Sequence, residues 1–327
     1  MKLYLFVISL VWFLGAQAAA TQTEGSFSQG MGSKSSLSEG TQTLSTQISI
    51  PKWKTNFTSY YYNFEGVKDQ KNDLYGFGLT TLKMQMMSLQ YQTESGWTLM
   101  GLAQYYETYV ETKMYGITYK DSSRGLADTL LAASKPMVMN GPFMLIGDLG
   151  VSLPTGSIHE MNPNSTVAGV HYPYNMQMGS GTVDSVWGLT SLYLEPSYQL
   201  GARASAVVRG DYKNDSGYHL GNLYRVDGWL DVPTRLGLTP RIVGYYKNKK
   251  GVVGADNTFG RNSFVEYYHH DQIDWNMSAA LKYNYSYTPQ LALTAEAGVP
   301  FYQGCQNYDN VVVYTRYYAN LGFTGQF

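Results

Sequence analysis

From about Trp53 onward the chain carries stretches in which apolar and polar positions alternate with a period of two. That spacing puts successive side chains on opposite faces of a β-strand. The clearest case is Trp275–Ser286. Trp275, Met277, Ala279, Leu281, Tyr283 and Tyr285 share one face, and Asn276, Ser278, Ala280, Lys282, Asn284 and Ser286 share the other. In the same way Leu291, Leu293, Ala295, Ala297, Val299 and Phe301 stand opposite Thr294 and Glu296; Ala204, Ala206 and Val208 stand opposite Arg203, Ser205 and Arg209. Leu236, Leu238, Ile242 and Gly244 stand opposite Thr239, Arg241 and Lys247. The final stretch keeps the pattern, with Tyr317, Ala319, Leu321, Phe323, Gly325 and Phe327 on its oily face. These runs are about 11–14 residues long, against roughly 5–6 for the commonest soluble strand. A tilted membrane-crossing strand needs about 9–11.

Strands are expected near 55–65, 77–92, 97–111, 124–135, 143–153, 183–195, 202–213, 219–231, 236–248, 272–286, 290–301 and 315–327. The fold class is therefore all-β: a transmembrane antiparallel β-barrel of about twelve strands, an even number as single-chain bacterial barrels have. The connections alternate in length. TESG, KPMVMNGP, PSYQLG, VPTRL and TPQ are short; 66–76, 112–123, 154–182, 249–271 and 302–314 are longer, and only KNDSG (Lys213–Gly217) breaks the alternation. Short periplasmic turns and longer external loops are expected of such barrels. Both chain ends then lie on the periplasmic side.

Composition fits this picture. Only 14% of residues are charged, against roughly 25% in ordinary globular domains. Aromatic residues make up 15%, 30 of them tyrosine, yet mean hydropathy is -0.26. That is too polar for a bundle of membrane helices and right for strands greasy on alternate residues only. A secreted β-sandwich shares some of these features; strand length favours the barrel. Formal net charge is -1, so nothing draws nucleic acid. The single cysteine, Cys305, excludes an intrachain disulfide and is expected in a loop. Residues 1–20 read as a signal peptide: Lys2, an apolar run, then AQAAA. Residues 21–52 read as a disordered polar periplasmic arm, and 53–327 as the outer-membrane barrel.

Alternation places Arg203, Arg209, Asp211, Arg225, Asp227, Asp231, Arg241, Lys282, Glu296 and Arg316 on the lumen side. An arginine facing lipid at the midplane would cost about 2–4 kcal/mol. These charges either select solutes across a narrow pore or pair into bridges that fill it. Catalysis is not expected: no histidine is followed two residues later by a serine, as in the outer-membrane phospholipase, and Ser157, two residues before His159, falls in an expected loop. Glu266, His269, His270, Asp271 and Asp274 include possible zinc or copper ligands, but read better as a solvated loop. KMQMMSLQY and YNMQMG offer soft sulfur ligands, and Met84 and Met86 share a face that reads as lipid-facing. Neither motif settles whether copper binds, and no cofactor is implied.

Three motifs carry a family resemblance. They are Gly125, Leu126 and Asp128; Leu153, Pro154, Thr155 and Gly156; and Gly179, Ser180, Gly181 and Asp184. Physically, Pro154 and Gly156 end a strand and turn the chain, and Gly179 and Gly181 let it turn back. In this spacing they resemble the outer-membrane transporter family associated with the meta-pathway of phenol degradation, over about 124–327. The resemblance implies a barrel that passes small molecules and supplies no catalytic residues.

The function expected is an outer-membrane channel passing small polar or amphipathic solutes, aromatic ones included, by passive diffusion. The alternative is a non-conducting surface protein acting in adhesion or structure through loops 154–182 and 249–271. Expected partners are outer-membrane lipid and lipopolysaccharide, a small-molecule solute, and the barrel-insertion machinery. Tyr317, Phe323 and Phe327 form the C-terminal assembly signal that this machinery would read.

Overall fold

The computed structural model describes residues 53–67, 75–114, 117–163, 169–234, 236–258, 271–288, 290–306 and 312–326. The stretches expected to form a signal peptide and a polar arm, and Phe327, lie outside these residues, as do Glu266, His269 and His270.

The wall begins with β1 (Trp53–Val67), β2 (Tyr75–Gln92) and β3 (Thr98–Met114). β4 (Ile117–Leu126) and β5 (Thr129–Asn140) both pair with β3, one along each half. They are two segments of one stave, broken at Ala127–Asp128. β6 (Phe143–Leu153), β7 (Asp184–Leu194) and β8 (Gln199–Val208) follow. A two-residue β9 (Tyr218–His219) comes next, then β10 (Leu223–Asp231) and β11 (Leu238–Lys249). Another short strand, β12 (Val253–Gly254), pairs with β9 outside the main sheet. β13 (Gln272–Thr288), β14 (Leu291–Gln306) and β15 (Val312–Gln326) complete the order. With β4 and β5 as one, twelve staves form a single antiparallel sheet. β15 pairs with β1 from Lys54↔Gln326 to Val67↔Val312 and closes it. Closure leaves no edge whose amides and carbonyls would face lipid.

The two faces differ as alternation requires. Phe57, Leu89, Leu99, Leu131, Leu149, Leu189, Leu200, Val226, Ile242, Leu281, Val299 and Phe323 all point out and are exposed. A water-soluble domain would not leave so much contiguous apolar surface bare; a membrane barrel presents it to lipid. Trp53, Trp97, Phe143 and Tyr198 stand on the same face near the short turns, the place of an aromatic girdle. Lys83 and Glu107 also face outward, paired at 3.0 Å between β2 and β3.

Four expectations need correction. Residues 112–123 are not a loop: β3 and β4 run on through them and leave only 115–116 between strands. Thr108, Tyr109, Val110, Thr118 and Tyr119 have strand propensity without a clean oily face, so alternation stops short there. β8 ends at Val208, so its connection to β10 spans 209–222 and is long. The apparent exception KNDSG is thus only a turn inside it. Cys305 lies on β14 opposite Asp274, not in a loop. Met84 and Met86 face inward and are 3% and 4% exposed; Lys83, Gln85 and Met87 face out instead.

Candidate functional site

Inward positions of β6 to β14 carry the charges. Arg203 on β8 is 2% exposed and reaches Asp148 on β6 at 2.7 Å and Thr190 at 2.9 Å. β7 runs between the two staves, and Gly188 makes the crossing possible. A Cβ there would stand 2.4 Å from Arg203 Nη2 and 2.7 Å from Asp148 Oδ2. Arg225 donates to Asp227, two residues along β10, from Nε at 2.8 Å and from Nη2 at 2.6 Å. Its guanidinium lies 4.4 Å from the centre of the Tyr245 ring, a cation–π contact. Arg241 joins Asp231 at 3.1 Å and Glu296 at 2.8 Å, and the Tyr318 hydroxyl donates to Glu296 at 3.0 Å. Lys247 pairs with Asp274. Lys282, beside this group, has no carboxylate oxygen within 4.0 Å among the described residues.

Inward positions of β1 to β5 are mostly apolar. Tyr60, Leu82, Met84, Met86, Met100, Leu102, Tyr106 and Leu130 form one buried cluster. Tyr60, Tyr62 and Phe64 stack along β1, with centroids 6.3 and 6.2 Å apart, and Tyr62 stacks on Tyr318 at 6.1 Å. The interior is thus an aromatic and thioether wall meeting an ionic one. Both walls are buried at mid-height, so side chains fill the barrel there. Toward the short turns the inward residues Asn56, Gln90, Ser134, Gln199, Asn284 and Thr294 are only half-buried.

A hydrogen-bonded knot anchors the connection between β6 and β7. Asp128 sits in the break between β4 and β5. Its Oδ1 accepts from the Gly156 amide at 3.0 Å, and its Oδ2 from the Ser180 amide at 2.8 Å and hydroxyl at 2.7 Å. Burial pushes the Asp128 carboxyl above the usual carboxylate range, while these donors pull it back. The Thr155 hydroxyl reaches both sides of the break, accepting from Thr129 N at 2.9 Å and donating to Ala127 O at 3.2 Å. Gly156 and Gly179 touch backbone to backbone: a Cβ on Gly179 would stand 2.3 Å from Gly156 O. Asp184 takes Thr182 Oγ1 at 2.7 Å and Arg209 Nη1 at 2.5 Å.

From this knot Met178, fully buried, reaches the interior cluster and lies over Gly125. Described residues from His171 to Tyr174 dock on the neighbouring loops. His171 Nδ1 lies 2.8 Å from Asp256 Oδ2. The Tyr174 hydroxyl accepts from Asp256 N at 3.1 Å, and the Tyr174 ring packs 4.4 Å from that of Tyr218. Burial raises the Tyr174 hydroxyl above the ordinary tyrosine range.

The ten charges expected inside thus sort unevenly. Arg203, Arg225, Asp227, Asp231, Arg241, Lys282 and Glu296 occupy inward strand positions. Arg209 lies just past β8 in the knot. Asp211 lies beyond it and is exposed in the connection. Arg316 is exposed at a β-bulge: β1 pairs Asn63 with Tyr317 and Phe64 with Thr315, skipping it, so alternation does not fix its side. Tyr317 and Phe323 share the outward face of β15. Asp271, one of the loop carboxylates, instead pairs with Lys250 at 2.5 Å. Sequence reasoning missed Asp148 and Asp274 as interior partners. For Asp148 the signal was there, an acid alone in the apolar run LIGDLGV. The Met176–Met178 motif carried no sign that it would enter the interior.

A closed twelve-stave sheet with an apolar band outside and charge inside defines a β-barrel of the outer-membrane type. One solved structure shares this fold. An outer-membrane channel from Pseudomonas putida F1 is 12% identical, with 86% of this chain and 97% of that one aligned at a TM-score of 0.56. The β-domain of the Bordetella autotransporter BrkA aligns over 84% and 100% at 11% identity and a TM-score of 0.48. The NanC porin aligns over 83% and 100% at 10% identity and a TM-score of 0.42. At 12% identity the likeness to the Pseudomonas channel is one of fold. No family model matches the sequence, and no curated protein matches it. The family resemblance of the three motifs therefore rests on the residues of the knot.

Proposed function

We propose that this protein is an outer-membrane channel through which small polar or amphipathic solutes, aromatic ones among them, diffuse passively. In the same reading it belongs to the transporter family that its loop motifs resemble. The observation that carries the proposal is the two-sided interior. Buried ion pairs seldom stabilise a fold more than apolar residues of the same volume would. A barrel that served only as an anchor would gain little from burying Arg203, Arg225 and Arg241 with their acids. A solute with one polar and one greasy side would find a surface for each. Residues 1–20 would direct export, and the insertion machinery would read Tyr317, Phe323 and Phe327. The test is unitary current in planar bilayers, with solute uptake into liposomes alongside. Discrete currents are expected; folded, heat-modifiable barrel giving neither current nor uptake refutes the proposal. One observation favours the second reading, a non-conducting surface barrel: the middle of the interior is filled by side chains, Met178 from the connection after β6 among them.

A further inference from the structure

Lys282 stands apart from the other interior cations. Arg203, Arg209, Arg225, Arg241 and Lys247 each have a carboxylate oxygen within 4.0 Å. Lys282 has neither a hydrogen bond nor an ion pair among the described residues, although only 7% of it is exposed. The carboxylates near it are engaged elsewhere. Glu296, its direct partner across to β14, accepts from Arg241 and from the Tyr318 hydroxyl, and Asp231 faces Arg241. An ammonium carries three donors, and burying it without an acceptor is strongly unfavourable. Its place along the strand is specific too. One inward step toward the short turns, Asn284 and Thr294 are half-buried, and Ser286 beyond is exposed. Lys282 therefore sits where the packed middle of the barrel gives way to its mouth. Thr239, directly opposite on β11, puts a buried hydroxyl-bearing residue beside it.

We infer that Lys282 is an anion-binding site at the inner end of this mouth. It takes a monovalent anion, either a halide or the carboxylate of a small organic acid. It also sets the charge preference of the pore, an inference that rests on the channel reading above. The Arg241 guanidinium already gives its donors to Asp231 and Glu296, whereas the Lys282 ammonium, which with Arg241 balances the charge of these two acids, keeps its donors to offer; without it the group is net negative. An anion arriving from the mouth supplies the acceptor that the wall withholds. A low-dielectric barrel wall leaves that charge weakly screened at low salt.

The experiment is the reversal potential across planar bilayers at low ionic strength, first in a potassium chloride gradient and then in potassium acetate. Wild-type protein is expected to favour the anion in at least one of the two. Lys282→Gln should lower that anion-over-potassium permeability ratio roughly fivefold, the scale of one partly screened charge interaction. Lys282→Glu should invert the preference. Lys83→Gln, which alters a cation on the outer face, should leave it unchanged. A change confined to chloride assigns the site to halide, and one confined to acetate assigns it to carboxylates. Wild-type current whose selectivity ignores Lys282→Gln and Lys282→Glu overturns the inference while the channel stands. Folded wild-type protein that passes no current overturns the inference, and the channel reading with it when solute uptake is absent too.

Discussion

At Gly188 a hydrogen stands where any other residue would place a carbon between Arg203 and Asp148. Replacing it with valine should push these buried charges apart across β7. Breaking a buried pair costs about 3–5 kcal/mol. Urea unfolding in detergent micelles should show Gly188→Val losing stability of that order. Gly101→Ala, whose new carbon would come no nearer than 3.8 Å to Leu131, should change little. This residue-level logic was only half legible in the sequence. Arg225, Asp227, Asp231, Arg241 and Lys282 announced their side of the strand, because a charge amid alternating apolar residues has one tolerable face. Their pairing did not show. Asp148 and Arg203 are joined across an intervening stave, and their match depends on register. Gly188 has no side chain for alternation to read.

Among the elements, the stave made of β4 and β5 and the connection that follows β6 form one device. The break at Ala127–Asp128 frees backbone groups from the ladder, and Thr155 and Asp128 take them up or bind the returning chain. Asp128→Asn keeps the shape but offers one carbonyl oxygen where the Gly156 and Ser180 donors need acceptors on both sides. A buried donor left without a partner costs about 1–3 kcal/mol. Limited proteolysis of the folded variant should cut the 154–183 connection faster than in wild type, with the barrel strands left intact. Unchanged cleavage would mean that the His171–Asp256 contact holds the connection without the knot. The three motifs pointed to loop geometry at this place, and that is what they build. They did not indicate that the loop turns inward to bury Met178. That outcome depends on the Gly125 face of β4, and nothing near Met178 in the chain encodes it. Strand limits failed where the residues are β-prone but polar on both faces, as at the β3–β4 hairpin, and at the bulge that strands Arg316.

For the whole molecule, the ends of the staves differ: four of the short turns at 93–97, 141–142, 195–198 and 232–237 gather at one rim, and the 154–183, 209–222 and 250–271 connections at the other. If the latter rim faces outward, a protease site inserted after Asp211 should be cut in intact cells, and one inserted after Ser197 only once the outer membrane is opened. The opposite pattern would turn the barrel over. The seam carries a further consequence. The Thr324 hydroxyl donates to Asn56 Oδ1 at 2.9 Å across 268 positions of sequence. Forming that contact closes a loop containing nearly the whole wall, and so non-local a contact favours slow folding. Until it forms, β1 and β15 each expose an unsatisfied ladder in which a strand from another chain would fit as well as the native one. A cell making this protein must therefore keep two sticky margins apart from their neighbours for the whole time that the other ten staves take to assemble.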